Sequence, residues 1–319
     1  MFDLRDDYVW DFWLADDGDA YHLFFLHAPK SLGDPELRHH SARIGHATSS
    51  DLEHWTRVAD VVGPSDAPAF DDTATWTGSV VRRDGLWYLF YTGMTLAGGG
   101  SVQSVGYATS PDLMTWTKGP GAVSSADGRW YELVGGTWHD EAWRDPWVLW
   151  RDGSWHMLVT ARANHGDADN RGVIGYATSP DLVEWTTQPP LSEPGQGFGH
   201  LEVPQVWKVD GQWVLMFSVL AGQLAADSPY AGTKGAVWIA MADGPLGPFD
   251  LGHAHPILQR DHYVGRFVND RNSGRTMLLA FRNEGADGTF VGGITDPMPV
   301  RWDPVLRRVS LDVTGYGDN

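Results

Sequence analysis

Three segments of this chain nearly copy one another: IGHATSSDLEHWT from Ile44, VGYATSPDLMTWT from Val105 and IGYATSPDLVEWT from Ile174. A fourth, weaker copy, VWIAMADGPLGPF, begins at Val237. Upstream of each lies a second repeated element: DAYHLFFLHAP from Asp19, DGLWYLFYTGM from Asp84, DGSWHMLVTAR from Asp152 and DGQWVLMFSVL from Asp210. A fifth version, NSGRTMLLAFR from Asn272, is followed by GTFVGGITDPM. A unit repeated in this way cannot bury its apolar face alone and must stack against its neighbours. Each unit reads as an inner strand, an Asp-Gly turn, an apolar strand, a third strand ending in ATSPDL and a short Trp-Thr strand. Five such units predict an all-β, five-bladed β-propeller with four antiparallel strands per blade. The copies stand further apart than the roughly 40–45 residues of WD40 blades, and no helical periodicity competes.

Within each copy, Ser-Pro-Asp makes a turn, and Trp55, Trp116 and Trp185 are expected to pack between blades. Residues 1–319 are expected to form one propeller catalytic domain. With 42% hydrophobic residues and 17 tryptophans the chain can build a large core, and 38 glycines and 19 prolines supply its turns. A formal charge of −18 argues against nucleic acid and anionic membranes as partners, because both need clustered Lys and Arg. It leaves a neutral small substrate open. The absence of cysteine excludes disulfides. The N-terminal MFDLRDDYVWDFW is acidic where a signal peptide is basic, and no stretch is apolar enough to span a membrane, so a soluble, cytoplasmic protein is expected.

The first strand of a propeller blade lines the central channel, so side chains at the channel mouth converge. The segments before the hairpins are YVWDFW (Tyr8–Trp13), ATWTGSVV (Ala74–Val81), AWRDPWVLW (Ala142–Trp150), GHLEVPQVW (Gly199–Trp207) and HYVGRFV (His262–Val268). Three of them place a carboxylate, Asp11, Asp145 or Glu202, at what reads as the same point of the repeat. A carboxylate among tryptophans is costly to bury, so three from separate blades point to shared chemistry. Glycoside cleavage uses such convergent acids, one protonating the leaving oxygen and another attacking or activating water. An all-oxygen metal site is the competing use, disfavoured by the bulky aromatic neighbours. No metal or cofactor is expected.

These segments resemble the five-bladed furanosidase clan: glycoside hydrolase families 32 and 68, with family 43 related. WRDPW resembles the Arg-Asp-Pro motif of the fructosyl-transferring families, HLEVPQVW their Glu-Cys-Pro or Glu-Arg-Pro segment, and WTGS (Trp76–Ser79) their Trp/Phe-Ser-Gly-Ser motif. VWDFW is closer to the levansucrase Trp-Asp-Ser/Thr-Trp-Pro than to the invertase Asn-Asp-Pro-Asn-Gly, and Val203 replaces the Cys of Glu-Cys-Pro. The resemblance implies Asp11 as nucleophile, Asp145 as transition-state stabiliser and Glu202 as acid/base. It also implies a retaining hydrolase of β-fructofuranosides (sucrose or fructo-oligosaccharides), with transfructosylation as an option. With the sequence ending at Asn319, close behind blade five, the C-terminal β-sandwich typical of family 32 is not expected. An inverting, family-43-like arabinofuranosidase or xylosidase and a non-catalytic sugar-binding propeller are the alternatives. The oligomeric state is left open.

Beside the three acids, Trp10, Trp13, Trp76 and Trp147 are candidates to stack on sugar. Arg144 is expected to orient the carboxylates or donate to a hydroxyl through its fixed fork, and Thr77, Ser79 and His200 to hydrogen-bond substrate. His139 and His165 fall in loops. Two acidic or basic clusters read as plain surface: RHH (Arg38–His40) as an exposed loop, and FDDTAT (Phe70–Thr75) as a solvated turn rather than a structural calcium site.

Overall fold

The computed structural model describes residues 1–234 and 236–312. Its strands form five separate sheets, the blades of a propeller. The inner strands are Asp7–Asp16, Ala74–Arg83, Trp143–Arg151, Glu202–Val209 and His262–Asn269, each paired antiparallel with the strand that follows it. Both residues of three Asp-Gly turns have positive φ: 50° and 83° at Asp84 and Gly85, 47° and 82° at Asp152 and Gly153, 47° and 90° at Asp210 and Gly211. That is the type I′ geometry whose twist matches the flanking strands.

The repeated ATSPDL segment explains itself locally. Ser49 Oγ accepts from the N–H of Asp51 and Leu52 at 3.1 and 2.9 Å, and Ser179 Oγ from Asp181 and Leu182 at the same distances. The indoles of Trp55, Trp116 and Trp185 each donate to the leucine carbonyl three residues earlier, at 2.9–3.0 Å. Trp116 then meets Phe24 of the preceding blade edge-on at 5.8 Å, and Trp185 meets Phe90 at 5.5 Å. The expected packing between blades is present for Trp116 and Trp185. The repeat glycines are equally local: a Cβ at Gly45 would lie 2.5 Å from the Phe25 ring and one at Gly106 2.2 Å from Phe70, so only glycine fits. Phe24 is fully buried and also stacks on Trp13 and His46. Phe24→Ala is expected to cost about 3–5 kcal/mol, read as a lower urea midpoint at unchanged slope.

Two blades depart from the simple pattern. Blade two gains the short strands Ser124–Ser125 and Asp140–Glu141, the latter parallel to Gly100–Ser110. This brings Asp140 beside Gln103 at 2.9 Å. In blade five, GTFVGGITDPM does not form the third strand. That strand is Met298–Asp303, while Ile294 makes isolated bridges to Phe2 and Phe281. Phe2 and Ile294 exchange hydrogen bonds of 2.9 and 2.7 Å, closing the ring between the N-terminal segment and the last blade. Among the described residues no helix is long and apolar enough to cross a membrane.

Candidate active site

Every inner strand breaks register with its hairpin partner at one place: between Trp10 and Phe12, Trp76 and Gly78, Arg144 and Trp147, Glu202 and Gln205, and Tyr263 and Gly265. A bulge leaves one residue unpaired and re-aims its neighbours, so the five bulges reshape one end of the channel. The equivalent bulged residues are Asp11, Thr77, Asp145, Val203 and Val264. Glu202 stands one place earlier, level with Arg144 and Tyr263. The three acids therefore converge without sharing one point of the repeat, as counting along the chain had suggested. Asp145, Val203 and Val264 have φ of 61°, 53° and 43°, a strained conformation for non-glycine residues that costs on the order of 1–3 kcal/mol each and clusters at functional sites.

A cavity of about 550 Å³ opens over these bulges, walled by Trp10, Asp11, Trp76, Thr77, Arg144, Asp145, Glu202 and Tyr263 among others. Asp145 is 2% exposed and densely held. It accepts from the Thr77 hydroxyl, from Thr160 Oγ1 at 2.7 Å and from the Val203 N–H at 3.2 Å. Arg144 Nε lies 3.4 Å from the same carboxylate. The Arg144 fork then reaches away from it, Nη2 donating to Glu202 Oε1 at 2.6 Å and Nη1 to Gln103 Oε1 at 3.1 Å. The second Glu202 oxygen accepts from the Tyr263 hydroxyl at 2.5 Å. Below the site, buried Arg266 donates to the carbonyls of Phe12, Val203 and Pro204 and so ties three inner strands together.

The electrostatics separate the acids. Burial raises the Asp11 carboxyl to about 8, helped by the charges of Asp145 and Glu202 and opposed by Arg38. Burial pushes Glu202 up as well, but Arg144, His200 and Tyr263 outweigh it and hold this carboxyl well below the usual range. Burial, with the Glu202 charge, keeps Tyr263 protonated as a donor. His200 is pushed down by burial and by Arg144 and up by its contact with Glu202, and its Nδ1 lies 3.1 Å from Arg144 Nη2.

The other sequence candidates divide. Trp10 and Trp76 line the cavity, and the Trp76 indole donates to the His39 carbonyl at 2.7 Å. His200 is 1% exposed and lies behind the wall, on Arg144 and the edge of Trp138. Trp13 is fully buried against Phe24 inside blade one. Ser79 accepts from the Val148 N–H at 3.1 Å, a link between blades two and three. Trp147 belongs to a separate cleft with Trp150, Trp207 and Trp213. His139 stands on the cavity rim, and His165 pairs with exposed Asn164.

Two surface expectations are overturned. RHH is the end of a 3₁₀ helix, Pro35–His40, that forms part of the cavity wall. Arg38 is 6% exposed there, its guanidinium 3.9 Å from the Phe290 ring centre and 5.6 Å from Trp10. In FDDTAT, Asp71 is fully buried, accepting from Lys118 Nζ at 2.6 Å and the Tyr91 hydroxyl at 2.8 Å; an interior ion pair replaces the solvated turn. Among the described residues no group of three or more His, Cys, Asp or Glu side chains is arranged to hold a metal ion. Tyr263 was missed, although it precedes the bulge in HYVGRFV as Arg144 precedes its own. Arg38 had no such signal, because it sits outside the repeat.

The chain is 30% identical over 206 residues to the sucrose-6-phosphate hydrolase of Bacillus subtilis (strain 168) and, over the same length, to the raffinose invertase of Escherichia coli. Each match covers 62% of this chain and 38% of the relative, so the chain spans well under half of those proteins. Among solved structures, the inulosucrase from Halalkalicoccus jeotgali bound to kestose superposes with a TM-score of 0.75 at 20% identity, covering 97% of this chain and 87% of that one. The Bacillus subtilis levansucrase superposes at 0.72 and 15% identity with the same coverage. Both likenesses concern the fold. The model of the glycosyl hydrolases family 32 N-terminal domain matches residues 14–284, most of the propeller, and the chain belongs to that family.

Proposed function

We propose that this chain is a retaining glycosidase that cleaves β-fructofuranosides, sucrose or fructo-oligosaccharides, and can pass the fructosyl group to a second sugar. One observation carries the reading: Asp11, Asp145 and Glu202, from three inner strands, face one cavity walled by Trp10 and Trp76. Family membership and relatives named as a sucrose-6-phosphate hydrolase and a raffinose invertase support the fructoside class. Asp11 attacks the anomeric carbon while Glu202 gives its proton to the departing oxygen, leaving a fructosyl ester on Asp11. Glu202 then takes a proton from water, or from an acceptor hydroxyl, as that oxygen displaces Asp11. Asp145, fixed by its hydroxyl and backbone donors, steadies the positive charge that develops on the sugar, an interaction that strengthens only in the transition state.

Burial and charge together favour the proton on Asp11, whereas the reaction needs it on Glu202. Both arrangements carry the same number of protons and interconvert within one coupled set of acids. Forming the ester removes the Asp11 charge and with it a repulsion that favours a proton on Glu202, so Glu202 stays deprotonated and available as the base for the second step. The expected kcat/KM is bell-shaped in pH, with an alkaline limb near about 8 where the set loses that proton. Rates on sucrose from pH 4 to 10 measure this, and a profile level through pH 9 excludes the coupled set. Stereochemistry tests the reading itself. Sucrose cleaved in the presence of methanol is expected to give methyl β-fructofuranoside, and the α anomer as product overturns it.

A further inference from the structure

Several relatives are named for a phosphorylated sugar, whereas the fructosides proposed above are uncharged. The cavity wall is strongly one-sided. Six carboxylates line it, those of Asp11, Glu36, Asp140, Asp145, Glu202 and Glu284, against two guanidiniums, those of Arg38 and Arg144. No lysine lines it.

Each guanidinium already has a carboxylate partner, although Arg38 Nε donates to no described group. Arg144 is divided between Glu202 and Gln103. Arg38 Nη1 donates to the Pro35 carbonyl at 2.8 Å and to Glu36 Oε1 at 2.9 Å, while its plane rests on Phe290. At the rim, Arg260 is paired with Glu284. Burial, with Arg38 beside it, lowers His39 to about 4, which leaves that ring neutral at pH 7. A phosphomonoester is recognised by free Arg forks, Lys or helix N-termini that supply charge and donors together. Here a dianion would meet an excess of carboxylates and cations already bound to them. Burial first, and the charges of Asp145 and Glu202 after it, raise the Asp11 carboxyl.

We infer that this site selects uncharged fructosides and rejects their phosphate esters. The inference rests on the fructosidase reading. The test compares kcat/KM for sucrose and for sucrose 6-phosphate at pH 7.5 and low salt. The expected preference for sucrose is a hundredfold or more, shrinking as added salt screens the wall. Equal or better use of the phosphate ester overturns the inference while leaving the fructosidase reading intact. No turnover of sucrose, inulin or kestose by the folded protein removes that reading, and the inference falls with it.

A second measurement isolates the charges. The Glu36 side chain is 73% exposed, so Glu36→Gln is expected to fold normally, and it releases Arg38 from its carboxylate partner. The variant is expected to narrow the preference about tenfold, through better use of sucrose 6-phosphate. A preference that stays the same in this variant assigns the discrimination to shape and overturns the electrostatic inference.

Discussion

Replacing Glu202 with Gln or Asp11 with Ala is expected to lower kcat/KM on sucrose by about 10³-fold or more, on the order of 4 kcal/mol of transition-state stabilisation. The two losses differ in kind. Glu202→Gln keeps the hydrogen bonding possible at that position but cannot transfer a proton, so substrates with acidic leaving groups are expected to suffer less than sucrose. Asp11→Ala removes the nucleophile and opens space on its side of the sugar. Azide is expected to restore part of its turnover and to yield the α-configured fructosyl azide, since it attacks from the face Asp11 occupied. Wild-type rates in either variant would end the assignment. Asp145→Asn is a third case. The Thr77 hydroxyl, the Thr160 hydroxyl and the Val203 N–H all donate to this carboxylate. An amide offers one acceptor oxygen to these donors and forces a hydroxyl to turn and accept from its NH₂, so the variant loses some stability as well as kcat.

Asp11→Asn is expected to make the protein more stable, and by an amount that grows with pH. In the folded chain the Asp11 carboxyl is raised from 3.8 to about 8, by burial first and by Asp145 and Glu202 next. Below pH 4 it is protonated both folded and unfolded and contributes no difference. Between pH 4 and 8 the unfolded chain releases this proton and the folded chain keeps it, so stability falls as pH rises; above 8 the loss is complete. Asparagine cannot ionise in either state and abolishes that loss. The full shift corresponds to a ceiling of about 6 kcal/mol. Because Asp11 is only partly buried at the cavity mouth, about 2 kcal/mol is the reasonable gain at pH 8, on the order of 4 °C in melting temperature. Thermal melts of both proteins at pH 4 and pH 8 measure it. A gain equal at the two values would assign the effect to packing rather than charge. An inactive variant more stable than its parent is the usual trade between function and stability.

How far the chain could be read in advance depends on how local each cause is. The ATSPDL turns, the Asp-Gly hairpins and the tryptophans between blades follow from contacts within a few residues or with one neighbouring blade, and the repeats spell them out. The three acids were found because each stands in an inner strand whose place in the repeat is visible. Their exact register was not, because a bulge adds an unpaired residue whose position depends on what the neighbouring blades offer it. Glu202 is therefore level with Arg144 and Tyr263 rather than with Asp145. Trp13, Ser79 and Trp147 misled for a related reason: alternation along a strand tells which residues share a face, but not how deep in the channel each one lies.

Sequence alone determined the five-bladed architecture and the acids worth testing, because both are written in a short pattern repeated around a ring. Only the tertiary structure decided which groups surround those acids. Arg38 enters from a 3₁₀ helix outside the repeat, Tyr263 from the last blade and the Val203 N–H from the blade next to Asp145, while Thr160 comes from the hairpin partner strand within the same blade. Charge and proton placement depend on distances between residues far apart in the chain. The fold sets those distances, and with them where the proton sits.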